Sequence, residues 1–394
     1  MLGYSQNVNQ MANPAARLER LVPLLRTEPD NLPLHRECVE LAMRGGEFAR
    51  ALDLVDARLT RHPAEAETLF ARSNVLIGLK QYAAALEILN ALGQIGVSPV
   101  AVLQNQATCH YLLQQFDNAF ADTERLLASG EKSASNLQVA ISSLHHLGRI
   151  DEAVKLADEH AAAAATNGPL AGACAIVYLD DEQVEKAAGL ARVALAQNPD
   201  SIDGLMVQAT IAGAELEVEA ALRQFARVAE LSPQNGRAWL GLGMLATLNL
   251  DFNKAKEFLA RATELMPKHL GSWHALAWAH HFTQDPVGAE RYFSHALELD
   301  RNFAESHGAM AAMHAMKGER EAAEREIELA ERLDRSGLSS HFARSLLISK
   351  AQGAEAGQEY IRSQIALLGR RFKGRPAAIF QQLAARPPAK KPLN

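Results

Sequence analysis

The chain has 394 residues, 48% apolar, 6% aromatic and 22% charged, with a formal net charge of −6. That apolar share excludes global disorder, and the acidic balance argues against nucleic acid as the main partner. Few aromatics beside abundant Ala point to an all-α protein of closely packed small-residue helices rather than a β-sandwich.

In chain order, residues 1–12 are polar, carry no export signal and read as a disordered N-terminus. Asn13-Pro14 makes a good N-cap and first-turn pair, opening a capping helix within 13–31. Pro23 lies inside it and predicts a kink or break. From 32 to 357 an internal repeat takes over. Ala51, Ala85, Ala119, Ala153, Ala187, Ala221, Ala255, Ala289 and Ala323 are each 34 residues after the last. Twelve residues before them stand Ser73, Ala107, Ala175, Ala209, Gly243, Ala277 and Ala311, and twelve after stand Pro63, Pro199, Pro233 and Pro267.

The residue types have a physical reason. Two antiparallel helices approach closely where a small residue on the first faces Ala on the second. The Pro lacks an N–H and disfavours helix in its predecessor, so it ends the second helix. Such a hairpin cannot bury its apolar face alone, so neighbours stack. Repeats start near Leu32, Ala66, Val100, Ala134, Gly168, Ile202, Gly236, Leu270, Ala304 and Leu338. The first and fourth depart from pattern, with Val39 and Ile141 at the small-residue position. The last is degenerate, with Gly357 in place of Ala, and a C-terminal capping helix is expected over 358–369. The remainder, 370–394, is a basic, Pro-containing tail with Arg370, Arg371, Lys373, Arg375, Arg386, Lys390, Lys391 and no acid. Within it PAAIFQQLAA spaces Ile379, Phe380 and Leu383 for one helical face, which makes a docking segment conceivable beside a plainly solvated tail.

The best-formed unit is RAWLGLGMLATLNLDFNKAKEFLARATELMP (237–267), with Trp239, Leu242, Gly243, Ala246, Phe252, Ala255, Leu259, Ala262 and Pro267 at signature places. SWHALAWAHHFTQDPVGAERYFSHALELD (272–300) is nearly as good. This pattern resembles the tetratricopeptide repeat, about ten times over. The resemblance implies an α-solenoid, a right-handed superhelix of helix–turn–helix repeats whose first helices line a concave wall. It assigns inner-facing roles to the second, fifth, ninth, twelfth and thirteenth positions of each repeat. The wall then reads Phe70, Asn74, Gln104, Thr108, Tyr111, Gln138, Ser142, His145 and His146 in repeats two to four. That stretch is amide-rich and suits hydrogen bonding to an extended backbone. In repeats six to ten it reads Met206, Leu240, Met244, His274, Trp278, His281, Phe282, Met316 and Phe342, an apolar stripe suited to amphipathic or apolar anchors. Many of these side chains would be inter-repeat core if the register were one position off.

Other chemistries find little support. The Lys/Asn/Arg set with which one branch of the family grips a terminal carboxylate is not matched, since only Arg36 and Asn74 are of the right type. His280 and His314, like His307 and His341, are 34 residues apart, yet plain structural histidine is the simpler reading than a stacked metal site. No phosphate loop, nucleophile elbow or paired Cys–His signature appears, GGEF at 45–48 is a hairpin turn, and Asp180-Asp181-Glu182 is a solvated cap. The expectation is therefore a non-enzymatic scaffold or adaptor without a cofactor or metal. It would bind a protein or peptide partner in the concave groove, in secretion, pilus or envelope assembly, as a chaperone, or in presenting a substrate to an enzyme. A ligand-responsive sensor and a non-catalytic subunit of an enzyme complex are the alternatives, and a homodimer is possible. The absence of a run of about 18 apolar residues predicts no membrane span and, with no export signal, a cytoplasmic location.

Overall fold

The computed structural model describes residues 14–96 and 99–371, the side chains of 368–371 excepted. The expected N-terminal segment 1–12 and the tail from 372 onward lie outside the described residues. Among the described residues every regular element is a helix. The chain divides into two compact units, with the boundary after Gln183 in the turn of the fifth repeat.

The first unit opens with α1 (Pro14–Thr27), which packs on α2 (Leu32–Arg44). The expected break at Pro23 is not found: the helix runs through it. Pro23 is exposed, so the carbonyl it leaves without an N–H faces water and costs little. The hairpins α2/α3 (Phe48–Arg61), α4 (Ala66–Gly78)/α5 (Tyr82–Gln94) and α6 (Pro99–Leu112)/α7 (Phe116–Ala128) follow. In the fourth, α8 (Ala134–His146) pairs with α9 (Ile150–Glu159), and the second helix is interrupted at His160 before a single turn, α10 (Ala161–Ala164). The unit ends with α11 (Gly168–Asp180), packed on α8.

The second unit opens with α12 (Val184–Gln197). Five hairpins follow: α13 (Ile202–Ala214)/α14 (Val218–Leu231), α15 (Gly236–Leu248)/α16 (Phe252–Leu265), α17 (Leu270–Phe282)/α18 (Pro286–Leu299), α19 (Ala304–Lys317)/α20 (Arg320–Leu333) and α21 (Leu338–Gln352)/α22 (Ala354–Arg371). Where a separate cap over 358–369 was expected, α22 begins at Ala354 and is the second helix of the tenth hairpin. Gly357 is the reason it fits. A Cβ there would stand 2.5 Å from the Ser345 carbonyl oxygen and closer still to Ser349.

All nine phased alanines are fully buried, as are the small residues facing them. The four phased prolines each stand two residues past a helix end, at Arg61, Gln197, Leu231 and Leu265. Helices α18 and α20 stop at the equivalent place, Leu299 and Leu333, with no Pro to stop them. Two further devices recur with the same period. A capping side chain at the residue before the first helix accepts the backbone N–H three residues on, from Asn31, Ser133, Asn167, Ser201, Asn235 and His269. The hairpin turn places one residue in the left-handed region: Gly46, Lys80, Gln114, Gly148, Glu182, Leu216, Leu250, Gln284 and Gly318. The next N–H then reaches back five residues to a helix carbonyl, as from Asp251 to Ala246 at 2.9 Å, which is Schellman closure.

Candidate functional site

In the first unit the first helices of repeats two to four carry the amide-bearing residues expected along an inner wall. Asn105 Nδ2 on α6 donates to Asn74 Oδ1 on α4 at 2.5 Å, so the two helices share an amide contact. Gln104 and Gln138 occupy the same repeat position on α6 and α8, half-buried, and their side-chain amides make no hydrogen bond among the described residues. Thr108 is committed elsewhere, since its hydroxyl donates to the Gln104 carbonyl at 2.9 Å. Phe70 is half-buried against the cluster around Leu76 and Leu89. At the turn edge, Tyr111, Phe116 and His146 form an aromatic group. The Phe116 and His146 rings stack at 4.2 Å, and Tyr111 meets Phe116 edge-on at 5.8 Å. His145 Nε2 lies 2.8 Å from Asp180 Oδ2, tying α8 to α11. Asp180 thus contributes to a histidine–carboxylate pair between α8 and α11.

The apolar stripe of the second unit is largely core. Met206 is only 5% exposed and His274 only 8%. His274 Nε2 lies 2.8 Å from Ser306 Oγ, with Phe293 and Phe303 set edge-on against the ring, and burial pushes its pKa down to about 4. Leu240 is half-buried against the cluster of Leu259 and Leu276, and Met316 against that of Phe293 and Ile327. Trp278 packs on Phe293 at 5.1 Å and on Phe342, two repeats away, at 5.7 Å, with His281 edge-on at 5.7 Å. The cause is the intervening repeat. Gly308, Ala311 and Ala312 are small enough to let α19 and α21 close together, and a Cβ on Gly308 would stand 2.5 Å from the Ser340 nitrogen. The molecule's own rings thus fill the space that Trp278 and Phe342 were expected to offer.

What stays open on this wall is Met244, 55% exposed, and Phe282, 47% exposed. The sequence reasoning missed their neighbours. Leu250, 67% exposed in its left-handed turn, stands beside Phe252, whose ring stacks on Phe282 at 4.8 Å. Leu250, Asp251, Phe252, Asn253, Phe282, Thr283 and Gln284 line an open cavity of about 360 Å³. The available signal was the 34-residue phase of the turn itself, which puts Leu at a position held by Gly in three other repeats.

The cysteines are buried and the two phased histidines are paired. Cys38, Cys109 and Cys174 are buried, and burial pushes the thiols of Cys109 and Cys174 up to about 11 and about 12. His280 and His314 each pair with the carboxylate five residues on, Asp285 and Glu319, at 2.8 and 2.6 Å. No cluster of three metal-ligating side chains occurs among the described residues, nor any helix long and apolar enough to cross a membrane.

No protein-family model and no curated protein sequence matches the chain. Solved structures do. The Cut9–Hcn1 hetero-tetramer of the APC/C is similar over 96% of this chain and 86% of its own, at 12% identity and a TM-score of 0.50. A monomeric IFIT1 mutant with m7Gppp-AAAA is similar over 89% of both chains, at 12% identity and a TM-score of 0.54. At such identities the likeness is one of fold. With the phased small residues and the hairpins they build, it gives this chain an all-α fold of stacked helical hairpins, as in those structures.

Proposed function

We propose that the protein is a non-catalytic scaffold that holds an extended polypeptide segment along the amide-rich wall of its first unit. One observation carries this reading. Gln104 and Gln138 stand at equivalent positions of successive repeats, half-buried, with their donors and acceptors unspent. A side-chain amide offers both a donor and an acceptor, which is what the main chain of an extended segment presents on each edge. Asn74 and Asn105 bond to each other between α4 and α6, and Tyr111 and His146 supply an aromatic surface on α6 and α8.

The test is capture of partners by the full-length protein and by Gln104→Ala/Gln138→Ala, read by mass spectrometry. Each lost hydrogen-bonding side chain costs about 1 kcal/mol, so the double variant should retain a few per cent of the captured partner while melting as the wild type does. Equal capture by both proteins would place the partner elsewhere. The captured polypeptide also identifies the process served, whether secretion, pilus or envelope assembly, or delivery of a substrate to an enzyme.

A further inference from the structure

We propose that residues 376–385 form one more helix, which lies antiparallel to α22 and closes the C-terminal end of the second unit, with Phe380 and Leu383 seated on Ile361 and Ile365. This goes beyond the scaffold reading and is tested without any partner.

The repeat phase marks a face of α22 that nothing covers among the described residues. Nine residues stand at the place of Ile361 in the earlier second helices, from Val55 and Leu89 to Phe293 and Ile327, and all nine are buried. Ile327 packs in one cluster with Ala343 of the following repeat. Ile361 itself is only half-buried. Ile365, also half-buried, stands where Glu331 stands in α20, and Glu331 reaches forward to accept from Arg344 on α21 at 2.7 Å. These two places therefore meet the next first helix wherever one follows. In a stack each repeat covers the one before it, so apolar residues left at the end call for a cap.

The chain itself arrives at this face. Four residues separate Arg371, the last described residue of α22, from Pro376, and four residues make every linker between a second helix and the next first helix in the second unit. Pro suits the first turn of a helix, where its missing N–H costs nothing, as Pro286 does at the start of α18. From Pro376 onward Ile379, Phe380 and Leu383 are spaced for one helical face, and Pro387-Pro388 ends the run. The 23 residues after Arg371 are too few for another hairpin such as Gly236–Leu265 and enough for one helix. Turning back after such a linker brings Phe380 and Leu383 level with the last three turns of α22, which hold Ile361 and Ile365. Capped so, the unit offers no apolar end to a second copy, and the chain stays monomeric.

The experiment is hydrogen exchange read by mass spectrometry on the full-length chain over a range of protein concentrations. In the wild type the amides of 380–385 should exchange at least about tenfold slower than in an unfolded chain. Ile365→Glu, which gives α22 the residue that α20 already carries at the equivalent place, should remove that protection. Phe380→Ser should in turn speed exchange in 361–368, while α15 to α18 exchange as before. Unprotected 380–385 amides in the wild type, protection indifferent to Ile365→Glu, or protection that appears only as concentration rises, which would make a second copy the cover, would each overturn the proposal.

Discussion

Arg58 is only 5% exposed, and it stays charged inside the first hairpin because Glu65 meets it with both oxygens, at 2.5 and 2.7 Å. The Arg58 guanidinium, helped by the Thr68 hydroxyl, pulls the Glu65 carboxyl down to about 2. Glu65→Gln leaves a buried cation half-paired and should destabilise the α3–α4 junction by about 3 kcal/mol. A carboxyl whose pKa falls on folding contributes fully above its unfolded value and loses that contribution as pH drops from about 4.5 to about 2. Wild-type stability should therefore fall through that window by more than that of Glu65→Gln, as amide exchange in α3 and α4 would register. His274 works on a different range. It is neutral when folded down to about pH 4, whereas the unfolded chain takes up its proton near 6.5. Stability of α17 should fall as pH drops from 6.5 to 4 and level off below. A variant such as His274→Gln should flatten that slope, and an unchanged slope would mean that the ring is not buried as described.

At the scale of the hairpin, the turn is the sensitive part. Nine turns use one backbone conformation with a left-handed residue, yet only three carry Gly there. A side chain in that region costs about 1–2 kcal/mol, and Schellman closure offsets it by satisfying the last helix carbonyls. Gly318→Ala, whose new Cβ meets nothing nearer than Lys350 Nζ at 3.6 Å, should therefore cost about 1 kcal/mol from backbone strain alone. Leu250→Gly should be neutral or stabilising by less than about 1 kcal/mol, because relieved strain is countered by extra freedom in the unfolded chain. Denaturant midpoints of the two variants check the pair. Trp239 and Trp273 add a second lock at the other end, their indole N–H groups donating to the Pro233 and Pro267 carbonyls at 2.9 Å each.

Within each unit, successive hairpins touch their neighbours, so stability there is a sum of local terms. Gly308→Ala forces the α19 surface against the Ser340 backbone and should loosen α17 to α22 by about 2 kcal/mol. Amide protection in α2 to α8 should not change, and a uniform loss along the chain would contradict nearest-neighbour stability.

The period of the alanines, the prolines that end the second helices and the small residues opposite were readable from the chain, because each acts on its own hairpin or the next one. Helix starts at Leu32, Ala66, Ala134 and Gly236 follow from that phase alone. The shared repeat position of Gln104 and Gln138, 34 residues apart, was readable in the same way. The apolar stripe was not. Whether His274 and Met206 are surface or core, and whether Trp278 faces a groove or Phe342, depends on how closely helices two repeats apart approach. That distance is set by Gly308, Ala312 and Ser340 acting together across the stack, and no period within a single repeat encodes it.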